Sequence, residues 1–410
     1  HGYQGQKGDV KALPMKKWFN TNYHYIVPEL ADDMNIKVSE DNKALSEFNE
    51  AKSLGIKTVP SVIGPYTFLH LATYTGEKKA EDFAEVFVNA YVQLAKCLSA
   101  AGAEWISFAE PALVFDVTDE EKSLFVSIYK KIIAKLHSDA KIKISLQTYF
   151  GDIRDVYKEV CQLGFDAIGL DFVEGKKSFE LAESSFPENT LLLAGLVNGK
   201  NIWRADYQKK NEVLAKLSEK IDRDNIVIGT SCSLLHVPYT TSSEEKLAEK
   251  VLEHFAYAEE KIIELKELAS GDTSALEANK KLFTGQRVEK DESVQKALSE
   301  ITEADFVRKP DFAEREKIQH EAFKLPLFPT TTIGSFPQTK EVRANRAAYK
   351  KGSITREEYV EFNQKKITEC IKLQEELGLD VLVHGEFERN DMVEYFGSQL
   401  KGYIFTQNAW

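Results

Sequence analysis

A chain of 410 residues and 46.4 kDa, 43% hydrophobic and 29% charged, is long enough for more than one globular domain. Its formal net charge of -12, from 65 acidic and 53 basic residues, would repel a nucleic-acid duplex or an anionic membrane surface, so neither is an expected partner. No apolar run approaches the roughly 20 residues of a membrane span and residues 1–20 carry no charged-then-apolar leader, which makes a soluble cytoplasmic protein the expectation.

Six short β-branched or apolar runs predict strands: Thr58 to Ile63, Trp105 to Ala109, Ile142 to Gln147, Ala167 to Phe172, Leu191 to Val197 and Ile226 to Thr230. Between them, stretches such as Lys78 to Ala101 and Asp119 to His137 place apolar residues every three or four positions beneath charged ones, as helices covering a parallel sheet do. Each strand runs into polar or small residues at its carboxyl end, among them Gly64, Glu110, Thr148, Asp171, Asn198, Ser231 and Cys232. That pattern predicts an α/β fold of the (β/α)8 TIM-barrel type, with a doubly wound sheet as the alternative.

After a helix ending near Leu268, residues 269–324 read as a helical connection between domains. The strand signal restarts at Leu327 to Phe336, is followed by an amphipathic helix near Ile354 to Leu377, and returns at Leu379 to His384. The reading is therefore an incomplete N-terminal barrel over 1–268 that lacks its opening units, and the start of a second barrel over 325–410. Both ends look cut, because a barrel needs eight strands. Closure of the first barrel by the two late units is the permuted alternative. The four cysteines, Cys97, Cys161, Cys232 and Cys370, form no CxxC pair and read as reduced thiols.

Five segments carry a resemblance: KKWFNTNYHYIVPE at Lys16 to Glu29, GLVNGKNIWR at Gly195 to Arg204, TSCSLLHVP at Thr230 to Pro238, TTTIGSFPQT at Thr330 to Thr339 and VLVHGEFERNDMVEYFG at Val381 to Gly397. Together, and in this order, the chain resembles cobalamin-independent methionine synthase, which moves a methyl group from methyltetrahydropteroylpolyglutamate to homocysteine. The resemblance implies a zinc site of His, Cys, Glu and Cys and a late histidine proton donor. Both would lie after Trp410, so the chain alone is expected to be inactive, without cobalamin and with no zinc ligands of its own. It implies a monomer when full length. It also implies that Ile333, Gly334 and Ser335 offer backbone groups to homocysteine, that Glu386 receives its ammonium, and that Lys17, helped by Lys16, meets the folate's glutamate tail. Phe387 departs from the smaller residue or Pro of many relatives and is expected to alter the loop only modestly.

Without the resemblance, Glu386 reads as an ion pair with a nearby lysine or arginine, and Lys17 as a solvated lysine. Cys232 and His236 could converge on a metal, but two ligands do not make a tetrahedral site, and a core cysteine with a hydrogen-bonded histidine is the simpler reading. Glu110 and Asp171 stand where barrel catalysts stand, yet carboxylates there also orient loops and pair with arginines such as Arg204. His24 reads as a packed, hydrogen-bonded ring. Two other functions remain open: a noncatalytic barrel that serves as a scaffold or binds a small anion, and a different barrel enzyme such as a decarboxylase.

Overall fold

The computed structural model describes residues 12–284 and 290–407. These fall into two units, one formed by 12–284 with 406 and 407, the other by 290–405.

The first unit opens with an antiparallel hairpin of β1 (Met15–Lys17) and β2 (His24–Ile26), with Lys17 opposite His24. Then come β3 (Glu29–Leu30), β4 (Ser61–Ile63) and β5 (Thr73–Tyr74), of which β3 and β5 pair in parallel. β6 (Trp105–Ala109), β7 (Lys143–Gln147), β8 (Ala167–Asp171), β9 (Leu191–Val197) and β10 (Ile226–Thr230) follow. The run expected from Thr58 begins as a strand only at Ser61, since Pro60 has no N–H for a ladder.

β4, β6, β7, β8, β9 and β10 form one wholly parallel sheet in that order. A doubly wound sheet reverses its direction of growth at a switch point, whereas this one adds every new strand on the same side. The wall is thus that of a TIM-type barrel.

Side chains alternate across the sheet as its pleat requires. Ile106, Phe108, Ile144, Leu146, Ile168, Leu170, Leu192 and Ala194 belong to the main core, packed with Phe87 and Leu98 of the helix Ala80–Ala100 and Phe125, Tyr129 and Ile132 of the helix Asp119–Asp139. The second helix starts in a capping box, in which the Glu121 N–H donates to Thr118 Oγ1 and the Thr118 N–H to Glu121 Oε2. The opposite face carries small residues, Ser107, Ser145, Ala167, Gly169 and Gly195. At Gly169 a Cβ would lie 2.3 Å from Gln147 Oε1, so the neighbouring side chain occupies the space that any larger residue needs.

Later in this unit, Asn279 accepts the Tyr207 N–H at 3.0 Å and donates to the Ala205 carbonyl at 2.9 Å. It ties the helix Thr273–Thr284 to the start of the helix Tyr207–Leu217, beyond the 268/269 boundary expected for the first barrel.

The second unit holds the helices Glu292–Ser299, Phe312–Phe323, Lys340–Lys350, Arg356–Glu376 and Met392–Gln399. Neither expected strand forms among its described residues. The two segments instead run side by side through a single parallel bridge, Ser335 to Gly385, with the Val381 N–H donating to the Thr330 carbonyl at 3.0 Å and Thr331 Oγ1 to the Val381 carbonyl at 2.9 Å. A pair of short strands without a third neighbour or a face to bury is marginal, and Ile333 is 96% exposed. A small core of Val342, Cys370 and Phe387 sits beside them, with Phe336, Phe362 and Ile367 packed against it.

Candidate functional site

Two turns meet in the second unit. Gly334 has φ +116, a conformation that side chains with a Cβ resist. Opposite it, Gly385 at φ +87 and Glu386 at φ +58 form a left-handed turn, and a non-glycine residue there must be held by its surroundings. Glu386 Oε1 lies 3.4 Å from where a Cβ at Gly334 would be, an ordinary van der Waals distance, so the carboxylate stands against the glycine turn.

Glu386 is ion-paired with Arg389, and the two side chains are only 27% and 15% exposed. The Glu386 Oε2 atom accepts no hydrogen bond among the described residues. The structure therefore joins the Ile333–Gly334–Ser335 turn to Glu386, and it also forms the arginine pair that the residues alone suggested. Chemically, a carboxylate with one free oxygen beside a backbone turn complements a molecule carrying an ammonium and a carboxylate on the same carbon.

Phe387 does more than fill a loop position. It is 8% exposed and anchors the turn in the small core, and a Cβ at Gly385 would meet its ring at 2.5 Å.

In the first unit the hairpin β1–β2 covers the carboxyl edge of the sheet. Asn20 donates to Glu174 Oε2 at 2.8 Å, and Lys200 Nζ donates to Asn20 Oδ1 at 2.8 Å and pairs with Glu174 at 2.9 Å. Phe19 stacks on Phe115 with centroids 5.2 Å apart, and the Tyr23 hydroxyl donates to the Leu235 carbonyl at 2.6 Å. Asn20 and Lys200 lie inside the segments singled out in the sequence, whereas Glu174 carries no local signal.

The carboxylates at the strand ends serve the backbone. Glu110 is fully buried and accepts the Tyr66 N–H at 3.0 Å, the Thr67 N–H at 2.6 Å and the Tyr129 hydroxyl at 2.6 Å. Burial pushes its carboxyl up to about 7 against those stabilising bonds. Asp171, also fully buried, accepts N–H groups from Phe150, Val173 and Glu174 at 3.0, 2.8 and 2.9 Å, and burial raises its pKa. It does not pair with Arg204, whose guanidinium reaches the Phe255 carbonyl instead. With its oxygens filled by backbone donors, Asp171 has no need of a cation.

A profile of the cobalamin-independent synthase N-terminal domain matches residues 3–222, and one of the catalytic domain matches residues 328–410. The chain belongs to the cobalamin-independent synthase family. Relatives named 5-methyltetrahydropteroyltriglutamate–homocysteine methyltransferase include those of Streptococcus thermophilus, 53% identical, and Lactococcus lactis subsp. cremoris, 51% identical, each aligned over 414 positions and 100% of this chain. The chain spans 54% of the length of those relatives.

Within this synthase family member, Lys16 and Lys17 lie exposed on β1, and Lys17 has no ion-pair partner among the described residues. His24 is exposed on the facing strand rather than packed, because the hairpin offers that position no second layer. Cys232 is buried, its thiol pushed up to about 12 by burial, and its Sγ contacts the Ser233 carbonyl at 3.8 Å. The His236 ring lies between Tyr23 and Phe150 at centroid distances of 5.4 and 5.6 Å, and burial, then the Lys200 charge, lowers its pKa. Such a thiol resists the ionisation that metal ligation needs. Among the described residues no group of three or more His, Cys, Asp or Glu side chains could hold a metal ion, so they do not fit the zinc expected of the family.

Proposed function

We propose that this chain is the homocysteine-binding and folate-tail-binding part of a methyltransferase that makes methionine from homocysteine and 5-methyltetrahydropteroyltri(poly)glutamate. In that reaction the methyl–nitrogen bond of the donor breaks as the methyl–sulfur bond of methionine forms, and the released nitrogen takes up a proton. The residues described here contribute recognition. Backbone groups of Ile333, Gly334 and Ser335 receive the carboxylate of homocysteine and Glu386 receives its ammonium, while Lys17 offers charge to the γ-glutamyl tail.

The observation that carries this reading is the approach of Glu386 to Gly334, two residues 52 positions apart that both have positive φ. The names of the relatives supply the substrate pair, and four unpaired cysteines fit a reducing cytoplasmic setting. In the first unit, Glu110 is filled by two backbone N–H groups and the Tyr129 hydroxyl and Asp171 by backbone N–H groups, which favours a scaffolding and tail-binding role for that barrel over chemistry of its own.

Calorimetric titration of the 410-residue chain with L-homocysteine tests the amino-acid end. Glu386→Gln should weaken binding by about tenfold or more, the worth of a charge-assisted contact. Equal affinity in the two proteins would remove Glu386 from the site.

A further inference from the structure

The Glu386 turn is held from outside itself, and among the residues that hold it Arg346 is the one that also reaches Gln338, beyond the Gly334 turn. One guanidinium nitrogen, Nη2, donates to Gln338 Oε1 at 2.7 Å, to the Phe387 carbonyl at 3.2 Å and to the Arg389 carbonyl at 3.0 Å. Gln338 follows the Gly334 turn by four residues, whereas Phe387 directly follows Glu386 and Arg389 lies three positions after it. The contact therefore joins the two turns through the helix Lys340–Lys350, which also packs Val342 against Phe387.

The need for such a tie follows from the backbone. Glu386 sits at φ +58, a region costing an L-residue roughly 1–2 kcal/mol, and such strain persists only where neighbouring contacts over-determine it. Arg389 could not do this alone, since it belongs to the same turn and moves with it. Tyr359 adds one bond, its hydroxyl to the Glu388 carbonyl at 3.0 Å, but reaches neither Gln338 nor the carbonyls that Arg346 takes. A lysine also ends in one nitrogen with three N–H groups, but its side chain is one bond shorter and its stem flexible, so that nitrogen is not held at the position Nη2 takes among the three oxygens.

We infer that Arg346 is a positioning residue for homocysteine recognition: it fixes the Glu386 carboxylate against the Gly334 turn without touching the substrate. This rests on the assignment of Glu386 to the substrate ammonium, and the ligand pair below separates the failure of one from the failure of the other. 4-Mercaptobutyrate is homocysteine without its amino group, so it keeps the thiol and carboxylate but has nothing for Glu386 to bind.

Affinities of both ligands would be measured by calorimetry, with displacement of the weaker one, for the 410-residue chain and for Arg346→Ala and Arg346→Lys. The expected result is that homocysteine loses about tenfold in Arg346→Ala and nearly as much in Arg346→Lys, while 4-mercaptobutyrate changes by less than about twofold. Added guanidinium at millimolar concentration should restore part of the homocysteine affinity of Arg346→Ala and none in Glu386→Gln. If Arg346→Ala does not fold, Arg346→Lys alone decides. Unchanged homocysteine affinity, or an equal loss for both ligands, would overturn the positioning role while leaving the site intact. Equal binding of the two ligands by the unaltered chain, or binding of neither, would instead overturn the assignment of Glu386.

Discussion

At the scale of single residues, the chemistry of this chain depends on which carboxylates are satisfied by the fold and which retain a free oxygen. Glu110 lies wholly inside, and its pH behaviour is a measure of that. Its carboxyl titrates near 7 in the folded chain against about 4.5 unfolded, so between those values the folded form holds more proton than the unfolded one. Its contribution to stability is thus full below about pH 4.5, falls as pH rises to about 7, and is constant above, a loss on the order of 3 kcal/mol. Urea unfolding of Glu110→Gln between pH 5 and 8 should show a flatter decline than the unaltered chain; an unchanged slope would mean that Glu110 does not titrate in this window. Lys17 differs, being exposed and without an ion-pair partner among the described residues. Lys17→Glu should weaken binding of a triglutamate tail several-fold at low salt, and the difference should shrink as salt screens the charge.

At the scale of elements, the hairpin β1–β2 stays on the sheet edge because side chains from three places bind together. Asn20 comes from the hairpin turn, Glu174 from the loop after β8 and Lys200 from the loop after β9. Lys200 also lies 4.9 Å from the centre of the Phe150 ring, so its removal loses a cation–π contact as well as an ion pair. Lys200→Ala is expected to cost about 1 kcal/mol and to raise amide exchange in residues 15–26 more than in β6 to β9. Uniform protection after the substitution would show that the aromatic stacking of Phe19 suffices. The two segments of the second unit lack comparable support: a single bridge and a few bonds from Thr330, Thr331 and Asp380 hold them, which is why runs with good strand composition do not become strands.

At the scale of the molecule, the two units differ in what holds them. The first buries a continuous core from Leu30 to Ile221 between its parallel sheet and covering helices, whereas the main cluster of the second is Val342, Cys370 and Phe387 with a few flanking rings. Unfolding should therefore occur in two steps, with the second unit opening at lower denaturant. Homocysteine should shift only that first transition, because a ligand stabilises the unit whose folded form it binds. Hydrogen exchange followed by mass spectrometry across a urea series checks both points, and a single cooperative transition would contradict them. Among the described residues no helix is long and apolar enough to cross a membrane.

The sequence by itself determined the parallel α/β wall, because apolar runs of strand length alternate with amphipathic helices and these patterns depend only on local periodicity. It also determined the family, since five long motifs in fixed order leave little freedom. Tertiary structure alone decided the rest. Asp171 could have paired with Arg204, but three backbone N–H groups reached it first; His24 looked like a packed ring until the hairpin placed it in solvent. Whether Glu386 met an arginine or a glycine turn was equally open in one dimension, and the folded chain gives it both. Arg346 carries no motif at all. Its role exists only because a helix brings one guanidinium within reach of three oxygens that lie eight, 41 and 43 positions away, a coincidence that local pattern cannot encode.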